Sequence, residues 1–552
     1  MTVETSERGL FCSAVFFCFF ALYAVTAQQG VSWQDSGEFQ YRILAGDYQW
    51  YSGIARAHPL YILMARGFVA LFPKWACFYA ANLFSGLGLA LALAVLAHNV
   101  ARLTRSVWAA VMSVGVLGFA HMAWWLGSVA EVYTWSLAFL MAEVLCLLRY
   151  SENRDGRWLI VLFGANGLHW SLHNAALLGL PVYVVLLGFE VRGRKERYWG
   201  LVCGSMAAWL VGGGMTVWQA GRLLMGTGDP VLALKSVLFG DGYGRQVLGM
   251  GGFALKRWWM NMALAGVSFL NPCWVFAGWG LLVREWNGKT IFRNALGALT
   301  VLHGAFWVRY FVADQATFIL PTLGLLAVWA GVGAGGSSKV LKCESALVEK
   351  SVDGETVGNR QSAIGKEREG KEITNCTNQT SRWRFLPNRL TVYRLTVFLL
   401  GVVCAVTGPG FLRDAAERSG FNVRRPRVLP FRDEASYWLV PWKQGEDSAA
   451  RFVSEAGKQL VAGDVLVADA TAAGTLMAAR EAGAVGKEWR LITPWSGETD
   501  EALRALVQDG EVRVFVVSPV AGYAPRAVLE TAKRFEREGV VYRAMDKREN
   551  RE

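Results

Sequence analysis

Asp35-Ser36-Gly37-Glu38 places two carboxylates three residues apart, just beyond the first long apolar run. A charge beside hydrocarbon is costly and is usually kept for a purpose. A carboxylate at a membrane surface can take the proton of a hydroxyl arriving from water, which is general-base chemistry. The same four residues also suit a solvated turn or a helix cap, so the motif alone leaves both readings open. Further polar groups stand in or beside apolar stretches: His58, Glu131, Tyr133, His169, His173, Asn174 and Asp314. Singly, each reads equally well as a cap, a turn residue or an interfacial anchor.

The elements that must position these groups are membrane helices. The chain is 53% hydrophobic and 18% charged, and its apolar residues fall in uncharged runs near bilayer length, which marks a polytopic membrane protein. The net charge of +12 then belongs to cytoplasmic loops and not to nucleic-acid binding. The nine Cys form neither a disulfide framework nor a CxxC metal pair. About eleven spans are expected, near 10–28, 75–98, 107–122, 130–148, 158–171, 173–189, 199–220, 258–283, 294–308, 315–334 and 395–411. The first run has no clear cleavage site and reads as a retained span.

Orientation follows from basic loops around Arg102, Arg154, Arg194 and Lys289. If all are cytoplasmic, an even number of crossings separates them. The stretch 158–189 would be ~48 Å as one helix, too long for ~30 Å of hydrocarbon, so it should turn near 168–174. The stretch 56–73 reads as an interfacial segment inside an outer loop, 29–74. The N-terminus is then cytoplasmic, and the polar groups named above gather at the outer face. Arg245, Lys256, Arg257 and Arg309 are external too, where positive charge is disfavoured. They read either as phosphate ligands or as snorkelling helix anchors.

Residues 1–334 thus form a membrane domain. Residues 335–390, polar and poor in aromatics, read as a disordered cytoplasmic linker, and 391–411 as a last span. Residues 412–552 read as an external domain. Its short apolar runs 465–468 and 512–517 alternate with helical patterns near 447–461, 471–483, 499–508 and 525–538. That alternation predicts a small α/β fold with a parallel sheet. Asp469 at a strand end is a crevice candidate, although packing and capping roles explain it as well.

Trp33-Gln34-Asp35-Ser36-Gly37-Glu38 resembles the signature of one branch of the GT-C membrane glycosyltransferases, a branch whose animal member is a protein O-mannosyltransferase. Ala57-His58-Pro59, Ala130-Glu131-Val132-Tyr133, Gly167-Leu168-His169, His173-Asn174, Asp314-Gln315 and Leu320-Pro321 resemble further motifs of that branch. Two departures are visible: a second Pro and Gly after His58-Pro59 are missing, and His173-Asn174 has reversed order.

The resemblance implies a polytopic α-helical GT-C fold and a polyprenyl-phosphate-linked sugar as donor, with mannose as the sugar it points to. It also implies a hydroxyl acceptor on protein, glycan or lipid and inversion at the anomeric carbon; the expected setting is a bacterial plasma membrane. Asp35 is the expected catalytic base and Glu38 its support. His58, Glu131, Tyr133, His169, His173, Asn174 and Asp314 are expected to orient donor or acceptor. Arg245, Lys256, Arg257 and Arg309 are expected to hold phosphate. A divalent cation is compatible with the carboxylates but not required by them. A transporter or flippase of lipid-linked sugars and a non-catalytic scaffold are the rival classes. No internal repeat favours transport, and Glu143, the acid deepest in a span, has no basic partner evident in the sequence.

Overall fold

The structure, a computed structural model, describes residues 2–192, 198–240, 255–283, 286, 289–335, 389–419 and 429–546. The expected linker and Arg245 lie outside the described residues.

α1 (Thr2–Thr26) carries the first apolar run. Its Leu10 and Phe17 are 74% and 66% exposed, a surface suited to lipid and not to water. α2 (Gln34–Ala45) opens on the acidic motif and closes at Gly46 in the left-handed conformation. α3 (Pro59–Val69) has Pro at its first position. Its 11 residues span about 16 Å, too short to cross a bilayer, in keeping with an interfacial segment. α4 (Cys77–Thr104) is buried along most of its length and forms the middle of the bundle.

α5 (Val107–Gly118) and α6 (His121–Gly127) follow, bent by 69°. α7 (Tyr133–Asn153) and α8 (Arg157–Leu172) pack side by side. α8 stops at His173, which is extended, so the helix breaks within the stretch 168–174. α9 (Leu180–Arg192) follows. α10 (Tyr198–Gly212) and α11 (Gly214–Thr227) are bent by 75°, and α12 (Pro230–Phe239) is short. The run 258–283 is also broken. α13 (Leu255–Gly266) and α14 (Val275–Leu282) lie on either side of Asn271-Pro272, where the chain turns by 91°. Proline removes a helical donor there, and the Asn271 side chain accepts from the Cys273 N–H at 3.0 Å. α15 (Thr290–Arg309), α16 (Gln315–Gly335) and α17 (Arg389–Arg418) complete the membrane region.

Among the described residues five helices are long and apolar enough to cross a bilayer, or eight if each bent pair is one span. Uniform apolar runs do not reveal bends, which is why 107–122, 199–220 and 258–283 read as simple spans in the sequence.

The C-terminal region contains α18 (Glu434–Leu439), α19 (Ser448–Gln459), β1 (Val465–Val467), α20 (Ala470–Glu481), β2 (Arg490–Ile492), α21 (Asp500–Asp509), β3 (Val514–Val516), α22 (Arg526–Thr531), β4 (Arg534–Glu538) and β5 (Val541–Met545). The strand order is β2-β1-β3-β5-β4. β1 pairs parallel with β2 and β3, whereas β5 is antiparallel to β3 and β4. The sheet is therefore mixed, not wholly parallel. The pattern at 525–538 is helical only to Thr531, because Gly539 (φ +54°) makes a tight hairpin that pairs Arg534–Glu538 with β5. Asp469 caps α20, accepting from the Thr471 N–H at 2.8 Å, so it has a structural role at its strand end. This region packs directly on α2 through α20.

Candidate active site

Glu38 faces Arg42 one turn further along α2, with Glu38 Oε1 3.6 Å from Arg42 Nη1. Its other oxygen lies 3.5 Å from Arg56 Nη2. Arg42 is wholly buried, and a buried cation persists only when paired and hydrogen-bonded. It donates to the Arg56 carbonyl at 3.1 Å and also to the Ala57 carbonyl, so it ties α2 to the chain leading into α3. Burial pushes the Glu38 carboxyl up to about 7, against the pull of Arg56 and with a further push from Asp35.

Asp35, Glu38, Arg56, His58, Tyr133 and Asp314 line one cavity of about 290 Å³. His173 and Asn174 line it as well, and Leu178, Leu238, Phe239 and Phe306 give it an apolar side. The cavity lining thus combines carboxylates and a guanidinium with hydrocarbon side chains. Asp314 is half-buried, accepts from the Tyr133 hydroxyl at 3.4 Å, and is raised to about 6 by burial and by the charge of Asp35.

The two histidines of the cavity present opposite hydrogen-bonding edges. His58 sits before α3 at φ +47°, and its Nδ1 donates to the Leu172 carbonyl at 3.0 Å, leaving Nε2 as an acceptor. Burial and the neighbouring His173 hold His58 well below its usual range, hence neutral. His173 Nδ1 accepts from the Ala175 N–H at 3.0 Å, leaving Nε2–H as a donor. The two rings stack at 5.1 Å and 4°. Asn174 donates to the Val237 carbonyl at 2.7 Å and so fixes α12 against the site.

Two of the expected groups lie outside the cavity wall. Glu131 accepts from Ser36 Oγ at 2.8 Å and bonds Ser85 through its backbone, so it locks α2 to the start of α7 and to α4. His169 belongs to a separate buried network. Its Nδ1 lies 2.9 Å from Glu143 Oε1, and its Nε2 lies 2.7 Å from Ser136 Oγ. Tyr183 and Asn166 also donate to Glu143. Glu143 therefore does have a basic partner, and the network joins α7, α8 and α9 as polar groups between membrane helices do.

Among the expected phosphate ligands, Arg257 and Arg309 are exposed and do not line the cavity, and only the backbone of Lys256 is described. A cation that does line it is Arg56, the first residue of the stretch read from the sequence as interfacial. Arg42 was also missed. The Glu38–Arg42 spacing of four would have pointed to it once the motif was read as helix. Asp35, Glu38 and Asp314 are oxygen donors of the kind a hard cation takes. Among the described residues, however, no group of three or more acidic, His or Cys side chains is gathered closely enough to hold a metal ion.

No family model matches the chain. A stretch of 188 residues is 27% identical to protein O-mannosyl-transferase TMEM260 of Mus musculus, covering 33% of this chain. The match spans about a quarter of that relative, 26% of its length. The fold is similar to that of ArnT from Cupriavidus metallidurans bound to undecaprenyl phosphate, with TM-score 0.55, 13% identity and 98% of each chain covered. The apo state of the same protein matches with TM-score 0.52, 12% identity and the same coverage. The chain is thus an integral membrane protein with the fold of ArnT, similar over about a third of its length to a protein O-mannosyl-transferase.

Proposed function

We propose that this chain transfers a sugar, mannose by its resemblance, from a polyprenyl-phosphate donor to a hydroxyl of a protein, glycan or lipid. The setting is the outer face of a bacterial plasma membrane, with the N-terminus cytoplasmic and the C-terminal domain external. The observation that carries the reading is the cavity itself. Its lining combines Asp35, Glu38, Asp314 and Arg56 with apolar side chains, which suits a lipid-borne sugar phosphate meeting a water-borne hydroxyl.

Asp35 takes the proton of the acceptor hydroxyl as its oxygen attacks the anomeric carbon. The bond from that carbon to the phosphate oxygen breaks, and the polyprenyl phosphate leaves as an anion with the electron pair. The new bond forms on the face opposite the leaving group, so the configuration inverts. Arg56 stabilises the charge that develops on the phosphate. Exposed Arg257 and Arg309, with Lys256 and Arg245, would draw the anionic donor toward the site. Ionised Glu38 keeps Arg56 and Arg42 in place, while Asp314, Tyr133, His58, His173 and Asn174 orient sugar hydroxyls. The sequence relative is named as a transferase of mannose to protein, and the structural neighbour binds undecaprenyl phosphate. The first supports the sugar and a protein acceptor, and the second supports the polyprenyl-phosphate donor.

Mass spectrometry of glycans and glycoproteins from cells with and without the protein tests the reading. One class of hexose-modified product should vanish on deletion and return with the wild-type chain but not with Asp35→Asn. Unchanged glycans together with altered distribution of lipid-linked sugar across the membrane would point to transport instead.

A further inference from the structure

The acidic motif has two faces. Asp35 and Glu38 look into the cavity, while Trp33 and Gly37 meet the C-terminal domain. Trp33 is wholly buried, its indole N–H donates to Ser448 Oγ at 2.8 Å, and its ring lies 5.1 Å from that of Phe452. Thr475 Oγ1 donates to the Ser32 carbonyl at 2.7 Å. Between these bonds the two helices touch backbone to backbone. A Cβ on Gly474 would lie 2.5 Å from the Glu38 nitrogen, and one on Gly37 would lie 2.8 Å from the Thr475 nitrogen. Glycine at both positions is what allows this approach. A contact made of backbone has no rotamer with which to adjust, so the place of α20 fixes the place of α2.

From this contact we infer that α20 of the C-terminal domain is a positioning element of the active site. Through Gly474 and Thr475 it sets α2, and with it Asp35 and Glu38, against Arg56 and Asp314. The domain thereby contributes to turnover without any group that touches substrate. The inference rests on the roles proposed for Asp35 and Glu38. It also gives Trp33 and Gly37 a purpose that carboxylate chemistry alone leaves unexplained.

A methyl at Gly474 must retreat from 2.5 Å to ordinary contact, so Gly474→Ala displaces α2 by about 1 Å. Displacement on that scale in a reacting geometry lowers rate by about 10²-fold. In purified full-length protein, Gly474→Ala should lower kcat by about 10²-fold and leave the donor KM within about twofold. Thr475→Val, which keeps shape and loses one hydrogen bond, should lower kcat by about three- to tenfold. It also serves if Gly474→Ala does not fold. Val516→Ala is the control. It opens a hole in the sheet's other core, away from α2, and should lower the melting temperature without changing kcat.

Hydrogen exchange of the amides in Gln34–Ala45 reads the contact without any activity. It should quicken in Gly474→Ala and Thr475→Val and stay unchanged in Val516→Ala. Wild-type kcat and exchange in both α20 variants would overturn the inference. So would an equal kcat loss in Val516→Ala. If the wild-type chain transfers no sugar yet exchange quickens as expected, the clamp on α2 stands and the proposed function falls.

Discussion

Lowering the pH from 8 to 6 should turn the site off through Glu38. Its carboxyl is held at about 7 by burial against the pull of Arg56. Roughly nine in ten copies are ionised at pH 8 and roughly one in eleven at pH 6, so kcat/KM should fall about tenfold over that range. Arg56 is the largest influence that lowers the Glu38 pKa, so Arg56→Met should move the acid limb upward by about one to three pH units. Glu38→Gln should remove the limb near 7. The assay is sugar transfer by detergent-solubilised protein at limiting donor, from pH 5.5 to 9.5. A limb near 7 that persists in Glu38→Gln, or that fails to move in Arg56→Met, would refute the reasoning.

The same Glu38 shift bears on stability. The folded carboxyl binds its proton more tightly than the unfolded one, so its contribution of about 3 kcal/mol is fully present below about pH 4.5 and is lost as pH rises through about 7. Thermal unfolding in detergent should show that slope in the wild type and a flatter one in Glu38→Gln. For the donor phosphate, alanine at Arg56, and at one of Arg245, Lys256, Arg257 and Arg309, should lower kcat/KM for the polyprenyl donor by roughly 10–1000-fold. Unchanged kinetics in all five would make them anchors only. Reporter fusions should place residues 102 and 340–390 in the cytoplasm and residues 50 and 240 outside. A cytoplasmic signal at residue 50 would put the acids on the wrong side.

Much of the C-terminal fold could be read from pattern, since Val465–Val467 and Val514–Val516 are short apolar runs flanked by amphipathic helices. The strand Arg534–Glu538 could not, because with Phe535 as its single apolar residue it carries no alternation, and only its pairing with β5 decides. In the membrane region the difficulty is different. Apolar composition is the same in straight and bent helices, so only Asn271-Pro272 signalled its break. The candidate site was legible where a polar group stands beside apolar sequence, as with His58 and Asp314, or within a compact acidic motif, as with Asp35. It was not legible where two such groups satisfy each other across helices, as His169 and Glu143 do. Arg56 was hidden for a further reason: an arginine in a loop at a membrane edge looks like an anchor until its partner is known.

The central claim is that Asp35 removes the acceptor proton. Asp35→Asn keeps size and most hydrogen bonding but removes basicity. Labelled sugar transfer from a polyprenyl-phosphate donor by purified protein should fall by roughly 10²–10⁴-fold, the usual worth of a general base, with donor binding near wild type. Wild-type turnover in Asp35→Asn beside a dead Glu38→Gln or Glu131→Gln would move the base to that residue, and wild-type turnover in all three would contradict the carboxylate mechanism.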